Sequence, residues 1–302
     1  IILGIGALVS VYLSRTLLWA AVWPSELSIA KEVELFTNNA TNWALKNLYF
    51  LTVGFKDFIS YSVLNPLESL LAGSPWYLTV GMVVAVALVI AEIRIAILAF
   101  ALSMLIVFSG LWYESMITLT QTIVGTLLTM MVGIALGIWT GRNDNLERFL
   151  RPFLDAGQTL PAFVYLVPML GLFGPTRFTA IATGIVYSIP IVVKIVCEGI
   201  RAVPHSLVEA ATASGSTTYQ IITKVQLPAA KRTILLAVNQ GLIYVLAVVV
   251  IGGFVGSGGL GYLVIVGNSK PELQGKGLIA GLCILLLGVI FDRIMQSSAR
   301  RS

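Results

Sequence analysis

Long apolar runs separated by short polar breaks lay out this chain. Runs over residues 1–23, 76–91, 93–112, 115–140, 158–173, 178–200, 233–255 and 277–296 carry few charges. Most approach the ~20 residues that a helix needs to cross the ~30 Å hydrocarbon core of a bilayer. A segment in lipid must pair its own backbone polar groups, so each run is predicted to be helical. The chain reads as all-α and polytopic, with about eight transmembrane helices. Arg15 interrupts the first run, and a charge at the bilayer centre costs ~2.5–3.5 kcal/mol. That helix is therefore expected to begin upstream of Ile1, with Arg15 near its outer end and Pro24 closing it. No charged n-region or cleavage site marks the start as a signal peptide.

Residues 25–75 are more polar. Val33, Phe36, Ala40 and Trp43 fall at helical spacing, with Lys31, Glu32 and Glu34 elsewhere on the wheel, which predicts an amphipathic interfacial helix. A second apolar piece, 49–64, is interrupted by Lys56 and Asp57 and is expected to be interfacial or half-buried. The runs 76–91 and 93–112 form a hairpin turning at Glu92 and Arg94. The next run contains Gly133, Gly137 and Gly141, small residues that admit another helix closely. A polar basic loop is expected over 141–155, with Arg142, Arg148 and Arg151. Pro161 and Pro168 are expected to break the helix after Gln158. The divisions expected are 1–75, 76–112 and a core domain over 113–302.

Composition supports the membrane reading. Of 302 residues 57% are hydrophobic and 11% charged, against roughly a quarter charged in soluble domains. The net charge of +5 sits singly near span ends, not in a phosphate-binding stripe, so no nucleic-acid partner is implied. Cys197 and Cys283 lie in apolar runs with no C-x-x-C and read as packing residues. The lone His205 reads as a solvated loop residue. No metal site and no catalytic constellation is found. With the segment around Glu209 placed in the cytoplasm, counting spans puts Arg94, Arg142, Arg148, Arg151, Arg201, Lys224, Lys231, Arg232, Arg293, Arg300 and Arg301 inside. Only Arg177, Lys270 and Lys276 remain in outer turns. The outer segment 24–75 carries three Lys against five acidic residues. This is a positive-inside bias.

A polar island at 204–228 interrupts the apolar pattern. Ser206 to Glu209 and Thr217 to Gln220 each have capping-box spacing. Gly215 between them can take φ > 0 and end the first helix. Leu227 and Pro228 are expected to open the next span, where proline lacks a donor that a first turn leaves unused. The island runs Glu209-Ala210-Ala211, three residues, Gly215, nine residues, Val225, one residue, Leu227-Pro228. This resembles the EAA loop of bacterial ABC importer permeases, with Val225 in place of Ile. Other stretches resemble the glycine betaine/proline betaine (quaternary amine) subfamily. They are Leu-Arg-Pro-Phe-Leu-Asp at 150–155, Gln-Thr-Leu-Pro-Ala-Phe-Val-Tyr-Leu-Val-Pro at 158–168, Asn239-Gln240, Gly-Ser-Gly-Gly-Leu-Gly at 256–261, and Phe-Asp-Arg-Ile-Met-Gln at 291–296. The likeness covers roughly residues 110–296, and the role of 25–75 stays open.

The resemblance implies a type I ABC importer permease fold in the bacterial inner membrane. It implies a coupling role for Glu209, Ala210, Ala211, Gly215, Val225, Leu227 and Pro228 against a separate ATPase. It also implies an extracytoplasmic solute-binding protein near the Gly256, Gly258, Gly259, Gly261 turn, which reads as flexible, and a second permease copy, most simply as a homodimer. No Walker A pattern occurs, so ATP and Mg are expected on the ATPase chain, with no cofactor here. The Gly256-x-Gly258-x-x-Gly261 spacing lacks the strand, helix and acidic residue of a dinucleotide site. Residues expected along a translocation path are Gln158, Pro161, Phe163, Tyr165, Tyr187, Asn239 and Gln240. Kinks serving only helix packing are the plainer reading of the same prolines and aromatics. Apolar spans from Met116 to Val196 hold no Asp or Glu, while aromatic faces attract quaternary ammonium ions. Other readings are a permease for an amino acid, trimethylamine N-oxide or an oxyanion, or an ion channel. The cognate binding protein separates the first group, and conductance without ATP marks the channel.

Overall fold

The computed structural model describes residues 2–16 and 29–301. Pro24 and the side chain of Arg15 lie outside the described residues. Every regular element among the described residues is helical. The chain divides into two compact units, residues 1–49 and 50–302. The first holds α1 (Ile2–Thr16) and α2 (Ala30–Asn47). No residue of α2 is buried, and Val33, Phe36 and Trp43 are exposed, as an interfacial helix requires.

The second unit holds α3 (Phe50–Ala72), α4 (Trp76–Ile90), α5 (Ile93–Phe108), α6 (Trp112–Arg142), α7 (Asp144–Thr159), α8 (Ala162–Phe173), α9 (Arg177–Arg201), α10 (His205–Ala213), α11 (Thr218–Ile221), α12 (Lys231–Ile251), α13 (Gly259–Ser269) and α14 (Gln274–Arg301). Among the described residues, 4 helices are long and apolar enough to cross a membrane: α6, α9, α12 extended to Val255, and Pro271–Ala299 around α14. Two bent pairs pass only when joined, α3 with α4 at 110° and α7 with α8 at 101°. The expectation of about eight spans is thus approximate. The α5 and α8 helices, with 16 and 12 residues, fall short of the ~20 needed to cross the core unaided.

Three local expectations change. The polar stretch expected as a loop over 141–155 is mostly the helix α7. The Asn143 side chain caps it, accepting from the amides of Asn145 at 3.0 Å and Leu146 at 3.1 Å, so two orphan donors are met. The run 158–173 is not one span. Leu160 is extended before Pro161, because proline's ring disfavours the helical region for the residue before it. Gln158 therefore belongs to α7. Pro168 does not break α8, and Pro152 and Pro190 also sit inside continuous helices.

The packing centre is α9, which lies mainly against α6 and α12. Gly133, Gly137 and Gly141 line the α6 face toward Val192, Val196 and Ile200. A Cβ on Gly133 would stand 2.5 Å from Val192 Cγ1, and one on Gly137 2.6 Å from Val196 Cβ. Only glycine allows that approach, and it puts Val192, Val196, Ile200 and Ala237 into one buried cluster. Helix α3 is half-buried as expected: Ile59 and Leu64 join Val124, Phe178 and Ile181 in a second cluster. Arg177, at the head of α9, pairs with Glu68 and donates to Asn65 Oδ1 at 3.1 Å. Both cysteines are free and buried.

Candidate functional site

The 204–228 segment folds as helix, turn, helix. The α10 helix ends in a Schellman pair of bonds: Gly215 N–H donates to the Thr212 carbonyl at 2.9 Å and Ser216 N–H to the Ala211 carbonyl at 3.0 Å. Gly215 has φ +76, the left-handed conformation that this motif needs. The Thr217–Gln220 capping box forms in both directions. The Ser206–Glu209 box does not form. The helix begins two residues earlier than that box requires, after Pro204, so Ser206 lies inside it and no side chain caps it. Glu209 instead meets His205 Nδ1 at 3.0 Å, one turn back.

Leu227 and Pro228 do not open the next span, which starts at Lys231 after Ala230 leaves the helix. The chain passes from α11 through a π turn over Ile222–Gln226, with Leu227 N–H bonded to the Ile222 carbonyl. A widened turn accommodates the missing amide and bulky ring of Pro228. No residue of α10 is buried, and its inner side rests on Val208, packed against a cluster that includes Val203 and Leu227. Leu207, Glu209, Ala210 and Tyr219 stand exposed. The result is a helical knob, ended by the Gly215 turn, that shows the small Ala210 and Ala213 beside the larger Leu207 and Tyr219. Arg142, at the end of α6, donates to the buried Gln226 and ties this knob to the bundle. That tie carries no local sequence signal, since its partners are 84 residues apart.

The path residues fall into separate neighbourhoods. Tyr165 and Tyr187 pack edge to face at 5.8 Å, and Tyr187 meets Tyr244 at 5.6 Å. Tyr244 was not singled out from sequence; its one signal is a hydroxylated ring inside an apolar run. The Tyr165 hydroxyl donates to the Gly157 carbonyl at 2.6 Å, across the break at Pro161. Phe163 packs against Phe254 at 5.4 Å. Gln158 accepts from Lys194 Nζ at 2.6 Å, and Lys194 also pairs with Asp155. Lys194 inside α9 was also missed, although a cation in an apolar run is a functional signal by default. Its hydrogen bond holds the Asp155 carboxyl below the usual carboxylate range. A cavity of about 390 Å3 beside this pair is walled by Glu147, Arg151, Glu198 and Arg201, among others. Asn239 is buried and donates to Asp292 Oδ1 at 3.0 Å, so its amide joins α12 to α14. Gln240, next along α12, is half-buried.

The glycine turn makes close contacts at Gly259 and Gly261, while Gly256 and Gly258 face open space. Gly256 and Gly258 both have φ +75 and Gly259 has φ +67. A Cβ on Gly261 would lie 2.4 Å from the Val250 carbonyl oxygen. Two α6 side chains hold the turn: Gln121 donates to the Ser257 carbonyl at 2.8 Å, and Thr118 accepts from the Leu260 amide at 2.9 Å. Among the described residues no His/Cys/Asp/Glu group is arranged to hold a metal ion.

The family described as "Binding-protein-dependent transport system inner membrane component" matches residues 133–302, more than half of the chain. The chain belongs to that family. This permease is 32% identical over 270 residues to the glycine betaine/proline betaine transport system permease protein ProW of Escherichia coli (strain K12), covering 89% of this chain and 76% of that one. It is 30% identical over 262 residues to the trimethylamine N-oxide transport system permease protein TmoV of Pelagibacter ubique (strain HTCC1062), covering 87% of this chain and 36% of that one. In three dimensions the permease matches a chain of the inward-facing MetNI methionine ABC transporter with a TM-score of 0.53, covering 62% of this chain and 95% of that one at 24% identity. At that identity the likeness shows the fold, that of an ABC importer permease. The permease is thus an inner-membrane transport component with apolar helices to match.

Proposed function

We propose that this permease carries a small zwitterionic compatible solute inward, glycine betaine or a related quaternary amine, by alternating access driven by a separate ATPase. The exposed α10–α11 knob carries the coupling part of the reading. It presents Glu209, Ala210, the positive-φ Gly215 and Pro228 on a surface left open within this chain, with Ala211 and Leu227 half-buried behind them. A docked ATPase would bind Mg and ATP, and its closure would draw two such knobs together in a pair of permeases, most simply two copies of this chain. A solute-binding protein would deliver solute at the opposite face, near the Gly256–Gly261 turn. Reversing a 1:99 preference between inward and outward states needs about 5.5 kcal/mol of differential binding, which ATP and the binding protein would supply together.

The substrate reading is supported by the E. coli relative and by the Tyr165, Tyr187, Tyr244 ladder. Each aromatic face attracts a quaternary ammonium by roughly 0.5–2 kcal/mol. Such weak, distributed contacts suit passage better than capture. The TmoV relative favours a second reading, trimethylamine N-oxide, which shares a trimethylated nitrogen. The test is reconstitution in liposomes with the ATPase and binding protein and ATP on the ATPase side. Labelled betaine should accumulate only when all three components are present. Uptake of another solute with no quaternary amine taken up, or micromolar betaine binding by the permease alone, would reject the assignment.

A further inference from the structure

Lys194 stands apart from the other cations near the tyrosines. Among the described residues of α6, α8, α9 and α12, every other Lys or Arg lies at a helix end: Arg142, Arg177, Arg201, Lys231 and Arg232. Lys194 lies inside α9, midway between Tyr187 and Arg201. Each interval rises about 10.5 Å, close to two helical turns, so the three side chains share one face of α9. An ammonium inside an apolar run is costly, and packing alone gives no reason for one.

The break at Pro161 joins this cation to the tyrosine ladder. It turns the end of α7 into the corner between α8 and α9. There the Gly157 carbonyl accepts from the Tyr165 hydroxyl. A Cβ on Gly157 would lie 3.2 Å from Cγ of Pro190, which stands between Tyr187 and Lys194 on α9. The next residue, Gln158, accepts from Lys194. Tyr165, Tyr187, Tyr244 and Lys194 are all half-buried, so each keeps a side open to a passing molecule. Lys194 also lines the polar cavity of about 390 Å3 between α7 and α9, a size within the ~300–1,000 Å3 usual for small-molecule sites. The other cations of that cavity are taken: Arg151 pairs with Glu147, and Arg201 with Asp144 and Glu147. Glu198 adds a further carboxylate to the wall. Coming from the tyrosines, an anionic group therefore meets Lys194 first.

Building on the quaternary-amine reading, on which this rests, we propose that Lys194 binds the carboxylate of the solute in transit. The solute takes the place of Asp155, while the tyrosine faces hold its trimethylammonium end. The exchange costs little. The Lys194 and Asp155 side chains are 26% and 56% exposed, and an ion pair so open to water contributes little of its own. Between passages Asp155 keeps the ammonium compensated, so α9 does not carry a bare cation in its apolar run. Two ends held by different chemistry give a choice among trimethylated amines. A betaine satisfies both the tyrosines and Lys194. Choline, with no anionic group, satisfies the tyrosines alone, and trimethylamine N-oxide offers Lys194 a single oxygen in place of a carboxylate.

The test uses the full chain assembled with its ATPase in lipid vesicles, with glycine betaine at millimolar concentration. The lysines carry a nitrogen isotope and the betaine carboxyl a carbon isotope, so dipolar dephasing in solid-state NMR reports a lysine ammonium against the solute carboxylate. The native complex should show dephasing and Lys194→Met should lose it. Asp155→Asn should raise it several-fold at the same betaine concentration, because the rival carboxylate is gone. With the binding protein and ATP added, Lys194→Met should lower betaine uptake several-fold, and Lys194→Arg should restore most of it. Absence of dephasing in the native complex, or dephasing that persists in Lys194→Met, would refute the site. So would a loss in Asp155→Asn equal to that in Lys194→Met, which would mark the pair as a tie between α7 and α9 only. Any of these results beside normal betaine uptake overturns the role of Lys194 and leaves the quaternary-amine reading standing. A native system that takes up another solute and no quaternary amine overturns both.

Discussion

The sharpest test of the coupling knob is a substitution series at Gly215. Its φ of +76 lies in the left-handed region, and a Cβ there would find nothing within 4 Å. The penalty for a side chain is therefore conformational and not steric. Left-handed backbone costs an L-residue roughly 1–2 kcal/mol, which shifts a local equilibrium by a factor of about 5–30. Asparagine tolerates this region better than alanine, and a β-branched residue tolerates it worst. We expect coupled uptake to rank Gly, Asn, Ala, Val, with Gly215→Val losing most activity while insertion and assembly stay normal. The assay is ATP-driven uptake in proteoliposomes beside ATPase turnover, so that hydrolysis without transport is seen directly. If Gly215 were kept only to let an ATPase approach, the larger Asn would be worse than Ala. An Ala variant that outperforms Asn, or a Val variant with normal uptake, would defeat the conformational argument.

Three other outcomes follow from the packing and charge pattern. Gly137→Ala should lower thermal stability by about 1–3 kcal/mol through overpacking against Val196, while Gly81→Ala, with open space around it, should be neutral or stabilising; equal melting shifts would contradict the close α6–α9 seam. Single cysteines at Asn145 and Ser216 should react only from the cytoplasmic side and one at Asn39 only from outside, and labelling of Ser216→Cys from outside would invert the topology. Lys194→Met should move the Asp155 titration up toward the ordinary carboxylate value. The pair's contribution is present above the unfolded carboxylate pKa and is lost as pH falls through the lowered folded value. Infrared carboxyl bands that titrate identically in both proteins would show that the pair is not formed.

Residues close in sequence announced themselves. The apolar runs became helices because a backbone in hydrocarbon has no other partner than itself. Gly215 and the Thr217–Gln220 box were legible because caps and left-handed turns are decided within four or five residues. The glycines at 133, 137 and 141 were legible as a seam, although not what they touch. Misreadings came where local rules competed. Asn143 capped a stretch rich enough in charge to look like a loop, and Pro161 divided a run long enough to look like one span. Pro204 started α10 before the Ser206 box could form, so Glu209 turned to His205 instead. What needed the tertiary structure was every pairing across the chain: Arg142 with Gln226, Lys194 with Asp155, Gln121 with the Ser257 carbonyl, Tyr187 with Tyr244. These contacts join helices tens of residues apart, and a single polar side chain in an apolar run looks the same whether it finds a partner or not. Only the packing of α6, α9 and α12 decides which of them meet, because glycine seams fix helix separation and so set which side chains come within reach.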